Sequence, residues 1–280
     1  MTQIRPFALA KELAAIPFYF IQHQWKGIAA SKPEKHAFGP HQRQYLLFWM
    51  PPPGTPEQHS AVIFYHGGGW RLGWPNQFPT IADYFLRSGF PVMMPAYRLS
   101  PKFAYPDMRE DLNLALGKIL ELMQTHGLSS KKLLAAGMSA GGTLAAHLAF
   151  NRNELAAFSL TTNNFSGFLS FASPLDLSKM PDVPQVRRFA GGRFDSPEFK
   201  AANPMTLLSA DEHLPILLLH GTEDAIVPFS SSESFYEKYS GPKTLYPIHK
   251  GTHFDSLNFA LNEPNMSDAV SQWLDQLVRK

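Results

Sequence analysis

Gly137-Met138-Ser139-Ala140-Gly141-Gly142 is the stretch that decides the fold. It follows the apolar run Leu133–Ala136 and opens into the small-residue run Ala140–Phe150. The first run reads as a buried strand and the second as a helix packed directly behind it. A serine held between a strand end and a helix start must occupy a sharp turn. Glycines two positions to either side make room for that turn and for close strand–helix packing. Such a turn exposes the hydroxyl and aims the helix's first N–H groups at whatever bonds to it. The same pattern occurs as a Gly-rich turn with a capping serine; the strand–turn–helix setting is what favours a nucleophile at Ser139.

The rhythm continues on both sides. Tyr45–Trp49, Ala61–Tyr65, Pro91–Pro95, Phe168–Ala172, Ile216–Leu219 and Thr244–Ile248 are short apolar runs bounded by turn residues and read as strands. Met108–His126 places Leu112, Leu116, Ile119, Leu120 and Met123 at helical spacing and stops at Gly127; Ala269–Leu277 is a second amphipathic helix. Alternating strands and helices predict an α/β fold: a doubly wound, mostly parallel sheet with helices on both faces. Residues 1–40, with Phe18, Tyr19, Phe20 and Trp25, break the rhythm, as do residues 173–214, with several Pro and Gly plus Arg187, Arg188 and Phe189. Neither is long enough for a second core, so residues 1–280 are expected to form a single domain on which both segments act as a small cap over the pocket.

Composition narrows the function. Hydrophobic residues at 44% and charged residues at 17% fit a globular chain rather than a disordered one or a coiled coil. A formal charge of +2 with no basic block argues against a nucleic-acid surface. No apolar run reaches the ~20 residues of a membrane helix. The absence of cysteine excludes disulfides, thiolate metal sites and a cysteine nucleophile, and it fits a reducing compartment. Nothing at the N-terminus reads as a signal peptide, so a cytoplasmic setting is expected.

A second motif, His66-Gly67-Gly68-Gly69-Trp70, directly follows the strand Ala61–Tyr65. Acyl transfer builds negative charge on a carbonyl oxygen, and fixed backbone donors there are worth about 3–4 kcal/mol each. Three glycines let the main chain come close to that oxygen. A phosphate loop would need Lys and Ser/Thr after the last glycine, where Trp70 and Arg71 stand instead.

A serine nucleophile needs a base, and the base needs an orienting acid. His220-Gly221-Thr222-Glu223-Asp224 follows an apolar strand, and His249-Lys250-Gly251-Thr252-His253 follows the last one. Residues just past strand ends gather at the carboxyl edge of the sheet, where such sites collect. The best assignment is Ser139, Asp224 and His253, in that chain order, with Glu223 and His249 as rivals. The i, i+4 pair His249/His253 has Gly251 between its members and no Glu after His249, so a zinc helix is disfavoured.

These stretches, with Tyr97-Arg98-Leu99-Ser100-Pro101, Tyr105-Pro106 and Val227-Pro228, resemble the α/β-hydrolase carboxylesterases of the hormone-sensitive-lipase group and the neighbouring bacterial acetyl-esterase/feruloyl-esterase-like branch. The resemblance runs from about residue 40 to the C-terminus and keeps the family's motif order. It implies a nucleophile at Ser139, a base at His253 and an acid at Asp224. It further implies an oxyanion hole from the N–H groups of Gly68, Gly69 and Ala140, with Gly67 the close alternative. Where the hormone-sensitive-lipase group usually carries Asp before the nucleophile, this chain has Met138. That departure moves the reading toward the acetyl-esterase-like branch, which also holds arylformamidases.

The expected activity is therefore hydrolysis of short-chain carboxylic esters through an acyl-enzyme. The alternatives are an arylformamidase or other amidase, and a non-catalytic ligand-binding member of the fold. No metal and no organic cofactor is expected. The expected partner is a small-molecule ester, with neither nucleic acid nor membrane, and a homodimer is left open. Trp70 and Met138 are assigned to substrate binding. Arg98 with Asp107 is read as a structural ion pair, His147 as a core histidine, and Arg187 and Arg188 as surface.

Overall fold

The structure, a computed structural model, describes residues 6–26, 32–261 and 263–278. Its centre is an eight-stranded sheet: β1 (Glu34–Ala37), β2 (Tyr45–Trp49), β3 (Ser60–Tyr65), β4 (Val92–Pro95), β5 (Lys132–Met138), β6 (Phe165–Phe171), β7 (Ile216–Gly221) and β8 (Lys243–Ile248). The spatial order is β1-β2-β4-β3-β5-β6-β7-β8. The strands β4, β3, β5, β6, β7 and β8 run parallel, while β1 and β2 add an antiparallel edge. Every residue of β3 and β7 is buried, which is why their sequences are continuous rather than alternating hydrophobics.

Nine helices are described: α1 (Pro6–Lys26), α2 (Pro79–Arg87), α3 (Tyr105–Thr125), α4 (Ala140–Phe150), α5 (Arg152–Ala157), α6 (Pro184–Ala190), α7 (Pro197–Ala202), α8 (Phe229–Lys238) and α9 (Pro264–Val278). The pleat sends alternate strand residues to two separate cores. Ala61, Ile63, Tyr65, Leu133, Ala135, Ile216 and Leu218 face one, with α3, α4, α6, α7 and α8. Val62, Phe64, Leu134, Ala136, Met138, Leu217 and Leu219 face the other, with α2, α9 and Tyr19 of α1. Helices thus cover both faces, as the sequence pattern requires.

The two irregular segments each carry secondary structure of their own. Glu34–Ala37 joins the sheet as β1, paired to β2 through Ala37 and Tyr45. The apolar stretch before it is α1, which presents Tyr19 inward and leaves Phe7, Leu13, Phe18 and Ile21 exposed. Residues 1–5 and 27–31, and the side chains of Phe20 and Trp25, lie outside the described residues. Residues 173–214 carry α6 and α7, whose Phe189 and Phe199 are fully buried.

Candidate active site

The turn from β5 into α4 is tight. Ser139 has φ +53° and ψ −128°, a conformation that costs a non-glycine residue on the order of 1–3 kcal/mol. The surroundings enforce it: Ser139 N–H donates to Phe171 O at 2.8 Å, and Gly142 N–H donates to Ser139 O at 2.9 Å. A side chain on Gly141 would run into the carbonyl oxygens of Tyr65 and His66, so α4 and β3 approach backbone to backbone. All eleven residues of α4 are buried, and the first N–H of the helix, that of Ala140, sits beside the serine.

The glycine loop after β3 turns through three successive left-handed residues, Gly68 (φ +125°), Gly69 (φ +59°) and Trp70 (φ +58°). A Cβ on Gly68 would collide with Leu72 O, so only glycine fits there. Three anchors hold the loop. Trp70 Nε1 donates to Ala140 O at 3.1 Å, coupling the loop to the serine turn, and its indole stacks on Phe189 with centroids 3.9 Å apart. Gln185 of α6 donates from Nε2 to Gly69 O at 3.0 Å. Arg43 donates to Tyr97 O and Gly73 O, both at 2.7 Å, and lies 3.4 Å from His66 Nε2. His66 Nδ1–H donates to Gly67 O at 2.7 Å, and its ring stacks on Tyr97. Burial, assisted by the Arg43 charge, holds this imidazole neutral with its pKa lowered to about 3.

Asp224 and His253 stand on the loops after β7 and β8. His253 Nδ1–H donates to Asp224 Oδ2 at 2.7 Å, which leaves Nε2 as the ring's acceptor. Asp224 Oδ1 accepts the N–H groups of Ile226 and Val227, each at 2.8 Å. His220 is a partner the sequence did not reveal. Its Nε2 lies 3.1 Å from Asp224 Oδ2 and 2.9 Å from Val227 O, while Nδ1 contacts Ser232 Oγ at 2.7 Å. Burial alone would raise the Asp224 pKa, but the charge of His253 and the hydrogen bonds from His220 and His253 outweigh it and hold the carboxyl well below the usual range. Asp224 and His253 are both buried, whereas the rivals Glu223 and His249 are exposed.

Met138, Trp70, His147 and Arg98 all make protein contacts. Met138 is buried on the face that carries α2 and α9, and a Cβ on Gly67 would lie 2.8 Å from its Sδ. Trp70 is 2% exposed, so its contacts are with protein. His147 is a buried core histidine: Nε2–H donates to Ala202 O at 2.9 Å, and Nδ1 accepts from Tyr105 OH at 2.8 Å. The expected Arg98–Asp107 pair is present at 3.9 Å, with Arg98 also donating to Asp107 O at 2.7 Å, but it is one part of a wider cluster. Arg98 engages Asp111 at 2.8 Å and Glu110 at 2.6 Å, while Asp107 Oδ1 is 3.9 Å away. Asp111 lies one helical turn beyond Asp107 on the same face of α3, buried at 1% exposure, where Arg98 and Gln44 offset part of the burial that raises its pKa. Among the described residues no cluster of His, Asp and Glu is arranged to hold a metal ion, and no helix is long and apolar enough to cross a membrane.

A mostly parallel sheet, helices on both faces, a strained serine turn after β5 and a carboxylate–imidazole pair on the loops after β7 and β8 define an α/β-hydrolase. The chain belongs to the BD-FAE family, whose model matches residues 48–239. A curated relative, ethyl acetate hydrolase of Pseudomonas putida, is 32% identical over 114 residues, which are 40% of this chain and 35% of that protein. The chain thus spans about a third of that relative's length. Among solved structures, a truncated carbohydrate esterase from gut microbiota superposes with a TM-score of 0.77 at 15% identity, covering 91% of this chain and 98% of that one. A thermophilic esterase from Thermogutta terrifontis, in a propionate-bound form, gives a TM-score of 0.67 at 25% identity over 88% of this chain and 92% of that one.

Proposed function

We propose that this protein hydrolyses small carboxylic esters, with Ser139 as nucleophile, His253 as base and Asp224 as orienting acid. The observation that carries the reading is the His253–Asp224 bond of 2.7 Å, which fixes the imidazole with Nε2 as its acceptor while a strained turn presents Ser139. Ser139 Oγ attacks the carbonyl carbon as Nε2 takes its proton. The oxyanion is held by the N–H groups of Gly68, Gly69 and Ala140. Collapse breaks the ester bond, and the alkoxide leaves with the proton from Nε2. Water then repeats the sequence on the acyl-serine: Nε2 takes its proton, the acid departs, and Ser139 is restored.

Short acyl groups are the favoured substrates. The names of the Pseudomonas relative, with its acetate ester, and of the propionate-bound neighbour support that choice. We assign α1 and residues 173–214 as the covering segments of one domain. Gln185 and Phe189 of the insert touch the glycine loop, which supports this role. Trp70 and Met138 shape the acyl side from behind, through the loop and the elbow. The cysteine-free composition favours the cytoplasm.

A panel of p-nitrophenyl esters from acetate to laurate, run beside N-formylkynurenine, tests the proposal. Expected is a maximum in kcat/KM between about two and six acyl carbons, each buried CH₂ contributing about 0.8 kcal/mol until the pocket ends. A laurate optimum would indicate an open lipase-like groove. Turnover of the formamide alone would reassign the enzyme as an arylformamidase.

A further inference from the structure

Helix α1 turns one carboxylate into the protein. Glu12 is 6% exposed; its Oε1 accepts the Ala225 N–H at 2.9 Å and its Oε2 accepts the His253 N–H at 3.2 Å. Two turns further along the helix, the Tyr19 ring packs on Phe254 with centroids 4.6 Å apart. The helix therefore grips the residue that follows Asp224, the backbone of His253 itself, and the residue that follows His253.

We propose that Glu12 is a positioning residue for catalysis, a carboxylate strut that ties the acid-bearing loop to the base-bearing loop and so sets the Asp224–His253 geometry. The inference rests on the reading of these two residues as the catalytic acid and base.

The two loops are joined at their root by backbone bonds and beyond it by the Asp224–His253 bond. Near the strand ends they are joined by Thr222 N–H to Ile248 O, Glu223 N–H to Gly251 O, and Lys250 N–H to Thr222 Oγ1. Beyond that root, the Glu12 side chain, from a helix more than 200 residues away, bridges the backbone N–H groups of Ala225 and His253 alongside the Asp224–His253 bond. Bonds from backbone N–H to a carboxylate are the strong, charge-assisted kind, and two on one group fix both distance and direction.

The residue type is the second argument. Burial raises the Glu12 pKa and the nearby Asp224 charge adds to this, while the Ala225 and His253 N–H groups pull the other way. An acid placed beside another buried acid is a poor choice for docking a helix, which an apolar residue of similar volume would do at less cost. What the carboxylate adds is two acceptors aimed at the catalytic loops. The family model matches residues 48–239, a segment that holds Asp224 but neither α1 nor His253.

The test uses the full chain with Glu12→Gln and Glu12→Leu. Active sites are titrated with a fluorophosphonate, and kcat and KM are measured on p-nitrophenyl acetate together with Tm. A misplacement of about 1 Å at the reacting groups costs on the order of 10²-fold, so kcat per titrated site is expected to fall about 10- to 100-fold in Glu12→Leu, with KM within about twofold. Glu12→Gln, which keeps one acceptor, is expected to lie between Leu and wild type and at least about threefold below wild type. A lowered Tm with kcat per site unchanged in both variants would make Glu12 a docking residue only and overturn the proposal. If Glu12→Leu does not fold, the near-isosteric Glu12→Gln decides: wild-type kcat overturns the proposal, and a loss of threefold or more at constant KM upholds it. A wild-type protein that neither labels at Ser139 nor turns over ester removes the catalytic reading itself, an outcome distinct from an active wild type with indifferent variants.

Discussion

Asp224 Oδ2 lies 2.7 Å from His253 Nδ1 and 3.1 Å from His220 Nε2, so one carboxylate oxygen serves two imidazoles. Its other oxygen is saturated by two backbone N–H groups. An amide here would present a donor to ring nitrogens that themselves donate. Asp224→Asn is therefore expected to force His253 into the wrong tautomer and to lower kcat by about 10⁴. Glu223→Gln, on an exposed side chain, is expected to stay within about twofold of wild type. Side-by-side kinetics check this, and the reverse ranking would reassign the acid.

Ser139→Ala is expected to fold normally and to lose on the order of 10⁶ in kcat. Retention of more than a few per cent of activity in the purified variant would place the nucleophile elsewhere. Ser139→Thr is a separate case, because φ is +53° and a β-branched residue is a steric outlier there. It is expected to unfold at lower urea than Ser139→Ala, with a stability loss of about 1–3 kcal/mol.

Gln185→Ala removes the hydrogen bond that ties α6 to Gly69. A neutral hydrogen bond contributes about 1 kcal/mol, so if the tether preorganises the oxyanion loop, kcat/KM should fall about fivefold. Unchanged kinetics with a lowered Tm would confine Gln185 to holding the insert in place.

Two buried neutral histidines set an acid limit on stability. Burial lowers the pKa of His66 to about 3 and of His147 to about 4, both below the ordinary value of 6.5. The unfolded chain then binds protons that the folded one refuses. Stability is full above about pH 6.5 and falls as pH drops toward 4, by about 1.4 kcal/mol per pH unit per histidine. Asp224, whose pKa is lowered, acts in a later window: its contribution holds above the ordinary carboxylate value of 3.8 and is lost below it. Urea unfolding from pH 7 to 4.5 is expected to show the histidine slope, and His147→Gln to reduce it by about one proton. A slope unaltered by that substitution would show that His147 is not the responsible group.

Legibility in the sequence followed the range of the interactions. Ala140–Phe150 was readable to the residue, because small apolar residues and flanking glycines are local consequences of a helix packed on a strand. Asp224, His253 and the glycine loop stood out as candidates because each directly follows an apolar strand. Helix α8, rich in serine, carried no helical signal, since serine competes for backbone hydrogen bonds and favours caps and turns. Asp111 was hidden behind Asp107, one turn away and nearer in sequence to Arg98. Glu12 and His220 were out of reach for another reason: their roles depend on loops brought together by the sheet order, and neither residue's neighbours in the chain announce it.

The bond from His253 N–H to Glu12 spans 241 positions of chain, which orders events on the ribosome. Helix α1 is made early, while both loops it docks against are made late. At about 5–20 residues per second, the interval between its synthesis and that of its dock is about 10–50 s. Through that interval Tyr19 lacks its contact with Phe254 and Glu12 lacks the Ala225 and His253 N–H groups, so the segment's docking contacts form last. The proposed hydrolytic centre is then completed only after residue 253 has been translated, and a chain stalled before that point carries Ser139 and Asp224 without His253.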